Sequence, residues 1–252
     1  ALKEIAFPLG GIGTGTVSLG GRGQLRDWEI FNRPAKGHIM PYTFPSIYLK
    51  PEGGEPMARV LETQLKPHFI EGGGMSPHRV CGLPRLKDAT FYGEYPFAHI
   101  EFKDPKLPVK VEMTAFNPMI PLNEKDSSIP TAVLRYKVTN PSRKKADGTI
   151  CWSLHNPVGD FEGRHSEWID EPTFRGVKFT NPSFPPDTIR TGSMALVTTH
   201  KDVTCIKAWP VAGWWDAAQA FWDDFKSDGK FDAAEPEKPS DIASLGLRFS
   251  LA

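Results

Sequence analysis

Short segments in which apolar and polar residues alternate recur along most of this chain. Between residues 109 and 115, for example, Val109, Val111 and Met113 fall on one side of an extended backbone, while Lys110 and Glu112 fall on the other. Such alternation is typical of a strand with one buried face in an antiparallel sheet. Comparable segments lie at 46–50, 57–65, 97–103, 132–139, 150–155, 176–180, 193–199, 203–209 and 244–251. About a dozen short strands without helices between them predict an all-β fold, a large antiparallel β-sandwich of the supersandwich kind.

One segment has the period of a helix instead. Between residues 214 and 226, four apolar residues recur at helical spacing and would form one stripe: Trp215, Ala218, Trp222 and Phe225. Gly229 follows at a position suited to a helix C-cap. The sequence therefore predicts one short amphipathic helix over 214–226 and a polar loop over 229–243. The final strand, 244–251, is expected to form an unpaired edge, because the sandwich would lack its last strands.

The opening segment is unusually rich in glycine. Ordered glycine costs conformational entropy, so this density calls for a structural reason. A dinucleotide-binding loop needs glycines at i, i+2 and i+5, but the third position is Thr16 counting from Gly11 and Ser18 counting from Gly13. Extended segments on either side of a turn at 20–23 instead predict a β-hairpin.

Composition argues against several classes of function. The 30 basic and 30 acidic residues balance to a formal net charge of zero, whereas nucleic acids and anionic membranes select basic surfaces. No run of about 18 apolar residues is present, so no membrane span is predicted. Cys81, Cys151 and Cys205 form no CxxC pair, and the seven histidines show no metal-binding spacing. We therefore expect free thiols, no metal site and no cofactor.

Several ordered motifs are more specific than composition. They are FPLGGIGTGTV (7–17), RDWEIFN (26–32), GLPRLKDA (82–89), GEYP (93–96), FNPMIP (116–121), DSSIP (126–130) and SLGLRF (244–249). Together they resemble the N-terminal domain of glycoside hydrolase family 116, which contains non-lysosomal glucosylceramidase and bacterial β-glucosidases. The resemblance spans nearly the whole chain and implies a single β-sandwich domain over residues 1–252.

The same resemblance implies where the chemistry lies. In this family the glutamate nucleophile and the aspartate acid/base lie in a C-terminal helical barrel domain, so the chain would be a fragment with no catalytic residue. The parent protein would be a retaining β-glucosidase or glucosylceramidase without a metal requirement. This domain would buttress the catalytic domain and line its substrate entrance. Its partners would be that domain and, through it, a β-glucoside or a glucosylceramide-like substrate.

Two other functions compete with this hypothesis. The chain could be a stand-alone carbohydrate-binding, lectin-like module, or a purely structural interaction domain on another enzyme. A tryptophan platform formed by Trp209, Trp214, Trp215 and Trp222 would support sugar binding, but helical spacing favours core packing for these side chains. The aglycone, the compartment and the oligomeric state stay open.

Two segments are candidates for a functional surface. The segment 156–175 is long for a connection without secondary structure, and it mixes carboxylates with aromatic rings as sugar recognition does, notably Glu162, His165 and Trp168. It could also pack on the catalytic domain or be merely exposed. Arg26, Asp27 and Trp28 follow the glycine hairpin and suit either a buried domain interface or a sandwich corner held by an ion pair.

Residues 224–235 can be compared with a calcium-binding loop. Asp224, Asp228, Gly229, Asp232 and Glu235 occupy suitable positions of such a loop. At its third position, however, Lys226 would place an ammonium group where an oxygen ligand belongs. A helix that ends in an Asp-Gly turn explains the same residues more simply.

Overall fold

The computed structural model describes residues 2–66, 77–160, 162–210, 216–232 and 240–252. These residues form an all-β fold of antiparallel sheets, as predicted. In chain order the described strands are β1 (Ala6–Leu9), β2 (Thr16–Gly20), β3 (Leu25–Glu29), β4 (Phe44–Pro51), β5 (Met57–Thr63), β6 (Arg85–Leu86), β7 (Asp88–Glu94), β8 (Phe97–Lys103), β9 (Lys110–Phe116), β10 (Val133–Thr139), β11 (Ala146–His155), β12 (His165–Asp170), β13 (Arg175–Thr180), β14 (Met194–Thr198), β15 (Val203–Ile206) and β16 (Ile242–Leu251).

The described residues contain two α-helices, α1 (Glu124–Ser127) and α2 (Ala217–Asp228). The longer one, α2, is the helix that the sequence predicts, and it ends at Asp228 rather than at residue 226. Gly229 adopts the left-handed conformation (φ 77°) and donates its backbone N–H to the carbonyl of Phe225. The predicted helix stop is therefore confirmed. Short α1 gives no periodic signal in the sequence and was not expected.

The chain divides into two compact units, each built from separate segments. The first unit comprises residues 1–40, 61–67 and 85–143, and the second comprises residues 41–60, 68–84 and 144–252.

The first unit contains two antiparallel sheets, with strand orders β1-β2-β3 and β10-β9-β8-β7. The predicted glycine-rich hairpin is present, because β2 pairs with β3 across a turn in which the Gly23 N–H reaches the Gly20 carbonyl at 3.0 Å. In the four-stranded sheet, alternate residues of β8 and β9 are almost fully buried, as period-two patterning dictates: Ala98, Ile100, Val111, Met113 and Ala115. The opposite side of this sheet carries polar and aromatic side chains.

The large sheet has the strand order β15-β16-β11-β4-β5-β6. Its longest pairing joins β11 to β16, from Ala146 opposite Leu251 to His155 opposite Ile242. Strand β16 is also paired with β15 on its other side. The expectation that the last strand forms an unpaired edge is therefore wrong. Strand β15, contributed by an earlier part of the chain, covers that side, and such a long-range pairing has no signal in the local pattern of 244–251.

Helix α2 packs within the second unit through aromatic side chains. Phe221 stacks on Trp209 with ring centroids 4.2 Å apart, and Phe225 follows 5.8 Å from Phe221. These three rings and Trp222 are buried. Burial of each such side chain stabilises the fold by about 1.5–3 kcal/mol. Trp209 and Trp222 are therefore core residues and not a sugar platform. The other two tryptophans of the suggested platform, Trp214 and Trp215, lie outside the described residues.

The second unit also contains a three-stranded sheet with the strand order β12-β13-β14. It corrects the prediction that 156–175 is a long connection without secondary structure. Residues 165–170 form strand β12, which pairs in register with β13 from His165 opposite Thr180 to Asp170 opposite Arg175. This strand has no clear signal in the sequence, because exposed side chains lie on both of its faces and the apolar alternation is weak.

Candidate functional site

The first candidate segment, Arg26–Trp28, lies on a β-bulge in the first unit. The register between β2 and β3 shifts within this stretch, so Ser18 pairs with Arg26 while Thr16 pairs with Glu29. A bulge places extra residues opposite one partner residue and interrupts the in–out alternation. Asp27 has a positive φ of 52°, and both Asp27 and Trp28 are buried.

The Asp27 carboxylate is held by two groups. The backbone N–H of Gly37 donates to its Oδ1 at 2.6 Å, and the Arg26 Nε lies 3.4 Å from its Oδ2. Burial by itself would raise the pKa of Asp27, but the Gly37 hydrogen bond and the Arg26 charge together lower it below its usual value. Asp27 is therefore an ionised, buried structural group. The Arg26–Asp27 ion pair that the sequence suggested is present, and the choice between a domain interface and a sandwich corner stays a prediction.

Trp28 contributes a second unusual feature to this segment. Its indole Nε1 is buried and has no hydrogen-bond partner among the described residues. A buried donor without a partner costs free energy, and most such donors are satisfied in folded proteins. A role for Arg26, Asp27 and Trp28 in contacting a catalytic domain stays a prediction.

The second candidate segment begins with the loop 156–164, which is held by hydrogen bonds from the side chains of Asn156 and Asn181. The Asn156 amide donates to the carbonyls of His165 and Thr180, at 3.1 and 3.0 Å, which ties the loop to both β12 and β13. The Asn181 amide donates to the carbonyls of Asp160 and Glu162, at 3.1 and 2.8 Å. Both asparagines are buried. The Asn181 amide satisfies two loop carbonyls and the Asn156 amide joins the loop to its neighbouring strands, which supports the backbone of residues 156–160 and 162–164.

The guanidinium of Arg164 supports the same loop through one carboxylate and two loop carbonyls. Its Nη1 lies 2.9 Å from Asp241 Oδ2, while its Nε and Nη2 donate to the carbonyls of Val158 and Gly159, each at 3.3 Å. His155 Nε2 approaches the same Asp241 oxygen at 3.2 Å. Burial would raise the pKa of Asp241, but the hydrogen bonds and charges of His155 and Arg164 outweigh it and hold that pKa at about 2.

The three predicted residues of this segment do not form one cluster. His165 and Trp168 lie on β12 at positions of opposite parity, so they project from opposite faces of the strand. Glu162 lies in the preceding loop, where the Asn181 amide holds its backbone carbonyl. All three side chains are exposed to solvent, with Trp168 at 37%. The next residue on the His165 face, Glu167, is paired with Lys178 of β13 at 2.9 Å.

Sequence reasoning missed the residues that organise this site. His155, Asn181 and Asp241 were not singled out, although they fix the loop and Arg164. Arg164 and Asp241 are 77 positions apart. No local spacing could have linked them, because the pairing of β11 with β16 brings them together.

Metal and thiol chemistry find little support. No group of three or more His, Cys, Asp or Glu side chains within the described ranges could hold a metal ion. Asp224 and Asp228 of the suspected calcium loop lie inside α2, and Glu235 falls outside the described residues. None of the three cysteines forms a disulfide within the described residues. Burial raises the pKa values of Cys151 and Cys205 to about 12, so both are protonated at neutral pH and poor nucleophiles.

Across the described ranges of the chain, none of the helices has the length and the apolar character that a membrane span requires.

The antiparallel sheets place this chain in the class of β-sandwich domains. A comparison with known protein families identifies it further. Residues 6–252 match the family model described as beta-glucosidase 2, glycosyl-hydrolase family 116 N-term. The chain therefore belongs to the family of glycoside hydrolase family 116 N-terminal domains. Membership implies that its parent protein is a glycoside hydrolase and that its partner is a C-terminal catalytic domain.

Proposed function

We propose that this chain is a non-catalytic N-terminal domain that buttresses the catalytic barrel of a retaining β-glucosidase or glucosylceramidase and lines its substrate entrance. No catalytic residue is assigned to the chain itself. The reacting carboxyl groups would belong to the C-terminal domain, and the substrate would be a β-glucoside or a glucosylceramide-like lipid.

The rigid loop 156–164 carries this proposal. A loop that only connects two strands needs no internal support, yet here Asn181 and Arg164 donate to its carbonyls, and Asn156 ties it to β12 and β13. Buried polar networks of this kind fix one conformation when they are fully satisfied. The outward side chains, such as Asp160 and Glu162, are thereby presented in fixed positions. Preorganised polar groups on a rigid scaffold are what recognition of a partner surface or a polar substrate requires.

The electrostatics of the carboxyl groups support a non-catalytic role. Retaining glycoside hydrolysis needs an acid whose pKa is raised, paired with an ionised nucleophile. Asp27, Glu167, Asp223 and Asp241 all have lowered pKa values, chiefly because hydrogen bonds or positive neighbours outweigh burial. Those groups are held ionised, and each of them is engaged by a neighbouring side chain or backbone group.

A stand-alone carbohydrate-binding module is the second candidate. The exposed indole of Trp168 favours it, because aromatic rings stack on the apolar faces of sugars. Calorimetric titration of the chain with soluble glucosides separates the two functions. Binding that is lost in Trp168→Ala supports the module, whereas no binding, or binding that survives in Trp168→Ala, supports the scaffold.

The activity assay has two arms. The 252-residue chain alone is expected to hydrolyse p-nitrophenyl β-glucoside no faster than a blank. In the protein encoded by the full reading frame, Glu162→Ala is expected to raise KM or lower kcat several-fold without changing the melting temperature. Leu122→Ala serves as the control, because Leu122 is exposed and belongs to the first unit, whereas the loop belongs to the second. Turnover by the chain alone that one Asp or Glu substitution abolishes would contradict the proposal.

A further inference from the structure

The sheet β7–β10 of the first unit presents an exposed face that the proposed function does not use. Side chains on this face come from alternate positions of the four strands, opposite in parity to the buried set that includes Ile100 and Met113. We call it the β7–β10 outer face. Two adjacent cross-strand rows, at the end of the face where β7 turns into β8, carry its exposed aromatic rings. One row contains Glu94, Phe97, Phe116 and Val133, and the other contains Tyr92, His99, Thr114 and Arg135.

Aromatic rings stand exposed in these rows. Tyr92 is 50% exposed and Phe97 is 44% exposed. Phe97 and Phe116 pair across β8 and β9 with ring centroids 5.4 Å apart. The guanidinium of Arg135 lies over the other side of this pair, 5.8 Å from the Phe116 centroid. Large rings on a solvent-facing sheet lose the benefit of burial, so their clustering here indicates a surface that something covers.

Polar side chains between the rings are held in position by one another. His99 Nδ1 is 2.9 Å from Thr114 Oγ1, and the Tyr92 hydroxyl lies 3.5 Å from Glu101 Oε2. Further along the sheet, Lys103 Nζ donates to Thr90 Oγ1 at 2.7 Å. These hydrogen-bond donors and acceptors lie next to the exposed aromatic rings of the same face. Hydroxyl-rich ligands with flat apolar faces match such a combination.

The charges on this face select against a charged partner. Acidic side chains at 88, 94, 101 and 112 are matched by basic side chains at 103, 110, 135 and 137. Lys137 is paired directly with Glu112 across β9 and β10, at 3.1 Å. The acidic and basic side chains are equal in number, so the face carries no net formal charge. A neutral ligand complements it better than an anionic lipid or a nucleic acid, both of which need an excess of positive charge.

We infer that the β7–β10 outer face binds a neutral oligosaccharide of β-linked glucose units, with sugar rings stacked on Tyr92 and Phe97 and hydroxyls bonded to His99, Glu101 and Thr114. Equatorial hydroxyls leave both faces of such sugars flat and apolar. The face runs across four strands about 4.8 Å apart, a width comparable to a short oligosaccharide.

Binding at this face is independent of the proposed scaffold function. Both the loop 156–164 and Trp168 belong to the second unit, whereas the outer face belongs entirely to the first. Loss of binding at the face would leave the scaffold proposal untouched, and failure of the scaffold proposal would not affect the binding measurement.

The experiment titrates the 252-residue chain with cellohexaose and with laminarihexaose by calorimetry, alongside affinity electrophoresis in gels containing soluble β-glucan. We expect binding of at least one hexasaccharide with millimolar or tighter affinity. The double substitution Tyr92→Ala/Phe97→Ala is expected to weaken it at least tenfold, while Phe97→Tyr, which keeps the ring, retains it. Phe174→Ala is the matched control, since it removes an exposed aromatic ring from the other unit and is expected to leave the affinity unchanged. Trp168→Ala is measured beside it to detect sugar binding on the second unit.

Circular dichroism and the melting temperature verify that each variant is folded. If the double variant does not fold, Tyr92→Ala alone carries the test, because its half-exposed side chain contributes little to the core. The inference is overturned if the unaltered chain binds neither hexasaccharide. It is equally overturned if affinity survives in the folded double variant, or if Trp168→Ala abolishes it while the variants of the outer face do not.

Discussion

The carboxylate of Asp241 shows how one residue can fix a loop that lies far from it in sequence. Arg164 and His155 approach the same oxygen of Asp241 at 2.9 and 3.2 Å, and Arg164 then bonds to two loop carbonyls. The loop thus depends on a charge located at the start of β16. Only the ionised form of Asp241 can accept these bonds with full strength, so the arrangement depends on pH.

Acid is expected to weaken this arrangement in a defined window. The pKa of Asp241 is lowered from 3.8 to about 2 in the folded chain. Its contribution to the free energy of unfolding is therefore fully present above about pH 4 and is lost as the pH falls toward about pH 2. We expect Asp241→Asn to lower the free energy of unfolding by about 1–2 kcal/mol near neutral pH, allowing for the partial exposure of this carboxyl.

Urea unfolding across that pH range measures the effect. Other carboxyl groups with lowered pKa values, such as Asp27, also lose stability in acid, so the difference between the unaltered chain and Asp241→Asn is the relevant quantity. This difference should shrink toward zero at the acid end. A difference that stays constant over the whole range would show that the Asp241 charge does not contribute.

The residues of the two candidate sites differ in how far the sequence could predict them. The ion pair of Asp27 with Arg26 was foreseeable because the two residues are adjacent in sequence. Burial of both Asp27 and Trp28 was not, since simple alternation would place them on opposite sides and only the bulge changes this. The cluster around Asp241 was beyond prediction, because it depends on which strands pair over long range.

At the scale of elements, α2 ends at a glycine for two separable reasons. Gly229 has φ 77°, and a Cβ added there would lie 2.5 Å from Tyr48 Cδ1 and 3.0 Å from Thr149 Oγ1. Gly53 has a similar φ of 70°, but a Cβ there would meet nothing within 4 Å. The pair therefore separates the cost of a left-handed backbone from the cost of a steric clash.

Replacing each glycine with alanine tests this separation. Gly53→Ala is expected to lower the free energy of unfolding by about 1 kcal/mol, the cost of the left-handed backbone with an added Cβ. Gly229→Ala adds a clash with a buried aromatic ring, and we expect a further loss of about 1–3 kcal/mol. Denaturant unfolding of both variants measures the difference. Equal losses would mean that the Tyr48 ring moves aside freely.

Elements with a strong periodic signal were predictable and those without it were not. Strand β8 coincides with the predicted 97–103, and α2 differs from its prediction by a few residues at each end. Strand β12 lay inside a predicted loop because exposed side chains lie on both of its faces, His165 on one and Trp168 on the other, which weakens the apolar alternation. The paired state of β16 could not be read from its own residues, since an edge strand and a central strand have similar local patterns.

At the scale of the whole molecule, the order of segments constrains which pieces can fold. The second unit combines residues 41–60 and 68–84 with residues 144–252. Strand β4 pairs with eight residues of the central strand β11, from Ala146 opposite Pro51 to Ser153 opposite Phe44. Its side chains Phe44 and Tyr48 also contact the α2 aromatics Phe221 and Phe225. No C-terminal piece that begins after β4 can complete this core.

The segment 144–252 expressed alone is therefore expected not to fold, although it contains α2 and six of the described strands. Without β4, one edge of β11 would expose backbone donors and acceptors, and the apolar face under Phe221 would open to water. Proton NMR should show poor chemical-shift dispersion for this piece, and heating should show no cooperative transition. The whole chain, measured in parallel, should show both dispersion and a cooperative transition. A dispersed spectrum from 144–252 would mean that the β11–β16 pairing and the α2 aromatics suffice, and that β4 is added to a core that is already formed.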